Sequence, residues 1–162
     1  MLKPDYRFNR ITDIDENFFS ENGIKNIILD IDNTLTRHGS QEIPEKVKAW
    51  LKARKEEGKG LVLLSNNSEE RVRPFSEVLG LPFVWKAAKP LRKGYVEVLK
   101  RFGWKREETV SIGDQLFTDI LGANVSGIRS VLVEPFHKED GWFFGFKRKA
   151  EEIILKGKRE YD

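Results

Sequence analysis

The sequence predicts a doubly wound, Rossmann-like α/β fold: three layers, α/β/α, around a five-stranded, mainly parallel sheet. Two observations carry that expectation. Short apolar runs of strand length, at residues 26–31, 61–64 and 109–112, alternate with longer segments of helical periodicity. Parallel neighbours need crossover connections, and helices in those gaps supply them while covering both faces of the sheet. Each of the three runs also ends in a polar cluster, so acids and a serine collect beyond the carboxyl ends of the strands, where such sheets bind ligands.

The elements follow in order. In an N-terminal lead of residues 1–25, Phe8, Ile11, Ile14, Phe18 and Phe19 are spaced roughly as one helical face, which packs over the sheet. The first strand is 26–31. Ile43-Pro44 opens a helix to about Glu57, with Val47, Trp50 and Leu51 on one face and Gly58 and Gly60 ending it. The second strand is 61–64. Ser68 caps a helix with Glu69 and Glu70 in its first turn; Pro74 kinks that helix or marks its true start, and Gly80 stops it. Residues 83–85 form a short third strand. Pro90 begins a helix with Leu91, Tyr95, Val98, Leu99 and Phe102 on its apolar face and Gly103 at its end. Residues 109–112 make the fourth strand, Thr118 caps a short helix ending near Gly127, and 130–133 make the fifth.

Composition narrows the chemistry. The 162 residues fit one domain, 1–162, with a respectable core. There is no cysteine and only two histidines, so disulfides and thiolate zinc sites are excluded and any metal is held by oxygen. Twenty-nine basic against 26 acidic residues leave a net charge of +3, a solubilising surface rather than a dedicated polyanion site. No apolar run approaches the roughly 20 residues of a membrane span, and Met1-Leu2-Lys3-Pro4-Asp5 does not open a secretory signal. The expected location is cytoplasmic. No stacking platform of alternating aromatic and basic residues is present, so nucleic acid is not an expected partner.

Four clusters are candidates for function. Asp30 and Asp32 lie two residues apart, so the pleat directs both carboxylates to one side of the strand. Two acids this close repel unless a cation or a transferable proton sits between them. Phosphoryl transfer uses such a pair: one attacks phosphorus, and the other protonates the leaving oxygen and later deprotonates water. Thr34 can steady them by hydrogen bonding. Ser65, followed by Asn66 and Asn67, offers a hydroxyl and amides to a phosphoryl oxygen. Lys89 offsets charge at the same edge. Asp114 and Asp119 follow the fourth strand and suit a hard cation such as Mg2+. Alone, each cluster also reads as a turn, a cap or a solvated side chain; their joint occurrence does not.

Asp30-x-Asp32-x-Thr34, Ser65, Lys89 and Gly113-Asp114-x4-Asp119 resemble the four motifs of the haloacid dehalogenase-like (HAD) superfamily. The resemblance implies that Asp30 is the nucleophile and Asp32 the acid/base, with Ser65 and Lys89 holding the phosphoryl group. It also implies that Asp30, Asp114 and the backbone carbonyl of Asp32 bind Mg2+, and that Asp119 supports Lys89 or reaches the metal through water. An acid at position 32 favours phosphatases within the superfamily. The gaps at 37–60 and 67–88 hold only the helices and strand already assigned, leaving no room for a cap domain, as in uncapped subclass III members. An open site suits a substrate with its own bulk.

The stretches Leu29-Asp-Ile-Asp-Asn-Thr-Leu, Ser65-Asn-Asn, Arg71-Val-Arg-Pro-Phe, Lys89-Pro-Leu-Arg and Gly113-Asp-Gln-Leu-Phe-Thr-Asp resemble the YqeG-type branch, related to phosphatidylglycerophosphate phosphatases. That likeness implies release of the terminal phosphate of phosphatidylglycerophosphate, an anionic phospholipid. Arg71, Arg73, Arg92 and Lys93 follow the second and third clusters and are candidates to hold the phosphodiester that must stay intact. In the tail, residues 137–162, Trp142, Phe143, Phe144 and Phe146 precede Lys147, Arg148 and Lys149, a pattern suited to peripheral contact with the inner face of an anionic membrane. Competing expectations are an uncapped phosphatase of nucleic-acid ends, phosphoproteins or small metabolites, and a receiver-like module that is phosphorylated and signals by shape.

Overall fold

The computed structural model describes residues 1–135. Six strands, all paired in parallel, form one sheet in the order β1-β6-β5-β2-β3-β4. They are β1 (Tyr6–Phe8), β2 (Asn26–Leu29), β3 (Gly60–Leu64), β4 (Phe83–Val84), β5 (Thr109–Gly113) and β6 (Arg129–Val133). The helices are α1 (Glu16–Glu21), α2 (Glu45–Glu56), α3 (Glu69–Leu79), α4 (Arg92–Phe102) and α5 (Leu121–Val125). The expected doubly wound class is present, with one strand more than the sequence suggested.

That strand lies in the N-terminal lead. Tyr6–Phe8 pairs with Val131–Val133 at the sheet edge, and only then does a 3-10 turn at Ile11–Asp13 lead into α1. Phe8, Ile11, Ile14, Phe18 and Phe19 thus come from a strand, a turn and a helix, not from one helical face. They still share one cluster, because each element turns its apolar side to the same face of the sheet.

Period-two alternation divides the core. Ile27, Leu29 and Ile31 face α1, α2 and α3 through Phe19, Val47, Trp50 and Phe75. Ile28, Val62 and Leu64 face the opposite layer of Tyr95, Val98, Leu99 and Ala123. Asp30 continues the parity of Ile28, so its side chain is directed towards the α4 and α5 layer. Trp50 Nε1 and Arg54 Nη1 both donate to the Ile14 carbonyl, at 2.7 and 3.0 Å, tying α2 to the lead.

Three local expectations are corrected. Pro74 does not mark the start of α3, which begins at Glu69 and runs through it; the proline is exposed, and the carbonyl it leaves without a helical donor lies one turn back, at Glu70. Pro90 does not open α4. It follows a cis peptide with Lys89, the Leu91 N–H donates to the Ala88 carbonyl, and the helix begins at Arg92. Thr118 caps nothing: it lies within a π-helical turn, Leu116–Ile120, that runs into α5, and its hydroxyl bonds the Gln115 side chain.

Candidate active site

The three central strands, β5, β2 and β3, end side by side in Asp114, Asp30 and Ser65. Asp30 extends the β2 ladder by one bond, its N–H donating to the Ile112 carbonyl at 3.0 Å. Its carboxylate receives Lys89 Nζ at 3.1 Å on one oxygen and Thr34 Oγ1 at 3.4 Å on the other. Lys89 also donates to Asp119 Oδ1 at 2.6 Å. Oxygens of Asp30, Asp114 and Asp119 lie within 4.8 Å of one another, and Asp114 and Asp119 are 1% and 3% exposed.

Local chain geometry explains how acids from one loop converge. The π-helical turn swings Asp119 back over the end of β5, where its Oδ2 accepts the Gln115 N–H at 3.2 Å. Gly113 leaves room for it: a Cβ there would stand 2.3 Å from Asp119 Cγ. Tyr95 of α4 donates its hydroxyl to the Asp119 carbonyl at 3.3 Å, and Gly122 lets that ring pass close to α5.

Burial, reinforced by the charge of Asp119 and opposed by Lys89, raises Asp30 from its usual 3.8 to about 6. Burial works against the charge of Lys89, yet Asp119 and Asp30 overcome it and hold the ammonium above its ordinary range. Burial likewise raises Tyr95, keeping it a neutral donor. Counting Asp30, Asp32, Asp114 and Asp119 against Lys89 and Arg71, the site carries two carboxylates more than cations. An all-oxygen donor set with that charge fits a hard divalent cation.

Asp32 occupies a different setting. Its carboxylate is turned towards the loop and α3, accepting Arg71 Nη2 at 2.7 Å, Asn67 Nδ2 at 2.8 Å and the Gly39 N–H at 3.1 Å. Its side chain is therefore outside the three-acid cluster, leaving its backbone carbonyl as what Asp32 has to offer a cation. Asn33, at φ 62°, lets the chain turn back directly after Asp32, and Thr36 Oγ1 closes that loop on the Glu42 carbonyl. Arg71 also donates to the Ser40 carbonyl at 2.7 Å and stacks over Phe75, so three contacts fix the guanidinium that holds Asp32.

Ser65 is buried, and its Oγ accepts the Asn67 N–H at 3.0 Å. Asn66 brackets Lys89, accepting its N–H at 2.7 Å and donating to its carbonyl at 3.0 Å. Three sequence candidates make no contact with these side chains. Arg73 pairs with Glu69 one turn back on α3 and lies over the Phe83 ring. Arg92 and Lys93 are exposed at the start of α4 and line a groove along that helix. Asn67 was missed as an Asp32 partner; its place after Ser65-Asn66 was visible, but its direction depended on the turn. The aromatic and basic residues of 137–162 lie outside the described residues.

Residues 1–136 match the family model described as mitochondrial PGP phosphatase. The chain belongs to that family. Over 152 residues it is 39% identical to the probable phosphatase YqeG of Bacillus subtilis, covering 94% of this chain and 88% of that one. It is 27% identical to phosphatidylglycerophosphate phosphatase 1, chloroplastic/mitochondrial, of Arabidopsis thaliana, covering 88% of this chain but 44% of that longer protein. Among solved structures, 4-nitrophenylphosphatase from Thermotoga maritima superposes with a TM-score of 0.62 at 14% identity, over 74% of this chain and 89% of that one. The cobalt-bound deoxy-D-mannose-octulosonate 8-phosphate phosphatase of Haemophilus influenzae gives 0.55 at 20%, over 85% and 90%. Both show the fold. As a PGP phosphatase family member the protein is a phosphatase, a phosphoric monoester hydrolase. No helix among the described residues is long and apolar enough to cross a membrane.

Proposed function

We propose that the protein is a Mg2+-dependent phosphomonoesterase that removes the terminal phosphate of phosphatidylglycerophosphate through an aspartyl-phosphate intermediate. The observation that carries the chemistry is the divergence of two acids only two residues apart. Asp30 faces Lys89, Asp114 and Asp119, whereas Asp32 faces Arg71, Asn67 and the Gly39 amide. Neighbouring carboxylates in separate environments take separate roles.

In this reading Asp30 attacks phosphorus, and the alcohol oxygen leaves with a proton from Asp32. Asp32 then takes a proton from water as that water opens the acyl phosphate, and the nucleophile is restored. Ser65 and the amides following it receive the phosphoryl oxygens, while Lys89 offsets their charge. Asp30, Asp114 and the Asp32 carbonyl would hold Mg2+, which when bound draws negative charge from the transferring group. Asp119 holds Lys89, Thr34 holds Asp30, and Asn66 fixes the Lys89 backbone. Domain 1–162 acts as one unit at the cytoplasmic face of an anionic membrane.

The lipid assignment draws support from the family and from an open site. No helix or strand is inserted between β2 and α2, and only α3 lies between β3 and β4. The test is Mg2+-dependent phosphate release from phosphatidylglycerophosphate, sugar phosphates, nucleotides and 3′-phosphorylated oligonucleotides. Preference for the lipid is expected. Equal, slow release from all of them would remove the lipid assignment, and an aspartyl phosphate persisting for minutes would favour a receiver-like module.

Arg71→Ala frees the Asp32 carboxylate from its strongest donor. Turnover is expected to fall roughly tenfold to a hundredfold, through kcat more than KM, because general acid catalysis depends on that orientation. Arg71→Lys should restore part of it. A pure rise in KM would instead make Arg71 a substrate contact.

A further inference from the structure

Four large hydrophobic side chains are exposed among the described residues: Met1, Val78, Trp85 and Leu91. Two of them, Trp85 at 38% and Leu91 at 64%, stand on the connection between β4 and α4 that also carries Lys89. That connection leaves the carboxyl end of the edge strand, on the rim where Asp30, Ser65 and Asp114 emerge. Lys86, Arg92 and Lys93 are exposed on the same stretch, and no acid occurs from residue 78 to residue 96.

The exposure is built into the backbone. Lys86 donates its N–H to the Asn67 carbonyl at 3.0 Å and Ala87 to the Ser65 carbonyl at 2.9 Å, so the loop is pinned to the turn after β3. Lys86 and Ala88 both adopt left-handed backbone, at φ 47° and 58°, a conformation that non-glycine residues rarely take and that neighbouring bonds must hold. Ala87, between them, and Lys89, just after, are buried, while Trp85, Lys86, Ala88 and Leu91 stay outside. Lys86 Nζ lies 5.3 Å from the Trp85 ring, a cation on an indole at the surface. Further along α4, Arg92, Lys93, Lys100 and Arg101 line one groove with Val96 and a single acid, Glu97.

We propose that residues 85–93 form the edge by which the protein docks on an anionic bilayer. Trp85 and Leu91 enter the headgroup layer, and Lys86, Arg92 and Lys93 meet lipid phosphates. An indole beside a cation suits the bilayer interface, and a cluster of cations without acids complements an anionic surface. Seated this way, the loop brings Lys89 and the acid cluster against the lipid headgroups. The proposal deepens the lipid-substrate reading and rests on it.

The test mixes the full chain with vesicles of phosphatidylcholine alone or with added phosphatidylglycerol and reads the bound fraction by sedimentation. Binding to the anionic vesicles alone is expected. Leu91→Ser should weaken it roughly tenfold and Lys86→Gln roughly fivefold. Both variants keep residues 136–162, so the difference reports the loop alone, and both should hydrolyse p-nitrophenyl phosphate in solution at the unaltered rate. Variants that bind as tightly as the natural chain would overturn the proposal. So would equal binding to neutral vesicles, or stronger retention by single-stranded RNA than by anionic lipid. Loop-dependent binding without phosphate release from phosphatidylglycerophosphate, in vesicles or detergent, would uphold the docking edge and end the lipid-substrate reading.

Discussion

Asp30→Asn is expected to lower phosphate release by at least about ten-thousandfold and, in the absence of metal, to stabilise the fold at neutral pH. The first effect follows from the proposed role of Asp30 as the attacking group. The second follows from the raised proton affinity of Asp30. In the folded chain it binds its proton up to about pH 6, against 3.8 for the ordinary group. The stability it contributes is therefore fully present below about pH 3.8 and is lost as pH rises through about 6. At pH 7 the metal-free protein bears that loss, on the order of 3 kcal/mol, and asparagine, which cannot ionise, escapes it. Denaturant unfolding in chelator at pH 7 and pH 4 checks this: the advantage of Asn over Asp should shrink as pH falls. A variant less stable than the natural chain at pH 7 would contradict it. Adding Mg2+ should close the gap from the other side, by stabilising only the protein that keeps the carboxylate.

Lys89→Met should be the single change most damaging to stability, and it should lower activity as well. The ammonium lies between Asp30 and Asp119, 3.1 and 2.6 Å from their oxygens and almost fully buried. Removing it leaves two buried carboxylates facing each other, a change that costs about 3–5 kcal/mol when one partner of a buried pair is lost. Turnover should fall more than about a hundredfold, as when a preorganised charge is removed from a reacting centre. The double variant Lys89→Met with Asp119→Asn separates the two effects. Unfolding free energy should partly recover, because one of the opposed charges is gone, while phosphate release should not. Recovery of both would mean that Lys89 serves only to neutralise Asp119.

The sequence displayed the site more clearly than it displayed the elements around it. Asp30, Ser65 and Asp114 were legible because each follows a run of buried apolar residues, and a parallel sheet brings all such ends to one edge. Lys89 and Asp119 were legible as residue types, and as partners only as one of two alternatives that the family resemblance implied. Their 2.6 Å contact depends on a π-helical turn and on the room left by Gly113, neither of which leaves a periodic signature. Strand β1 was hidden because Tyr6, Arg7 and Phe8, none of them fully buried, alternate over only three residues, too few for a period to register. Arg71 and Arg73 looked equivalent in sequence. Two residues apart on a helix they point about 200° apart, so one reaches Asp32 while the other finds Glu69 and Phe83.

The strand order also sets when the site comes into being. β2 leaves the ribosome early, yet one of its two neighbours, β5, lies 83 residues further along, the separation between Asn26 and Thr109. A nascent chain that stops short of Gly113 can pair β2 with β3 and hold Asp30, Asp32 and Ser65, but it has neither Asp114 nor Asp119. Long-range pairing of this kind is slow, because the intervening loop must close before the contact forms. Until β5 joins the sheet the edge lacks two of its acids, and Asp30 meets those partners only when the last central strand is in place.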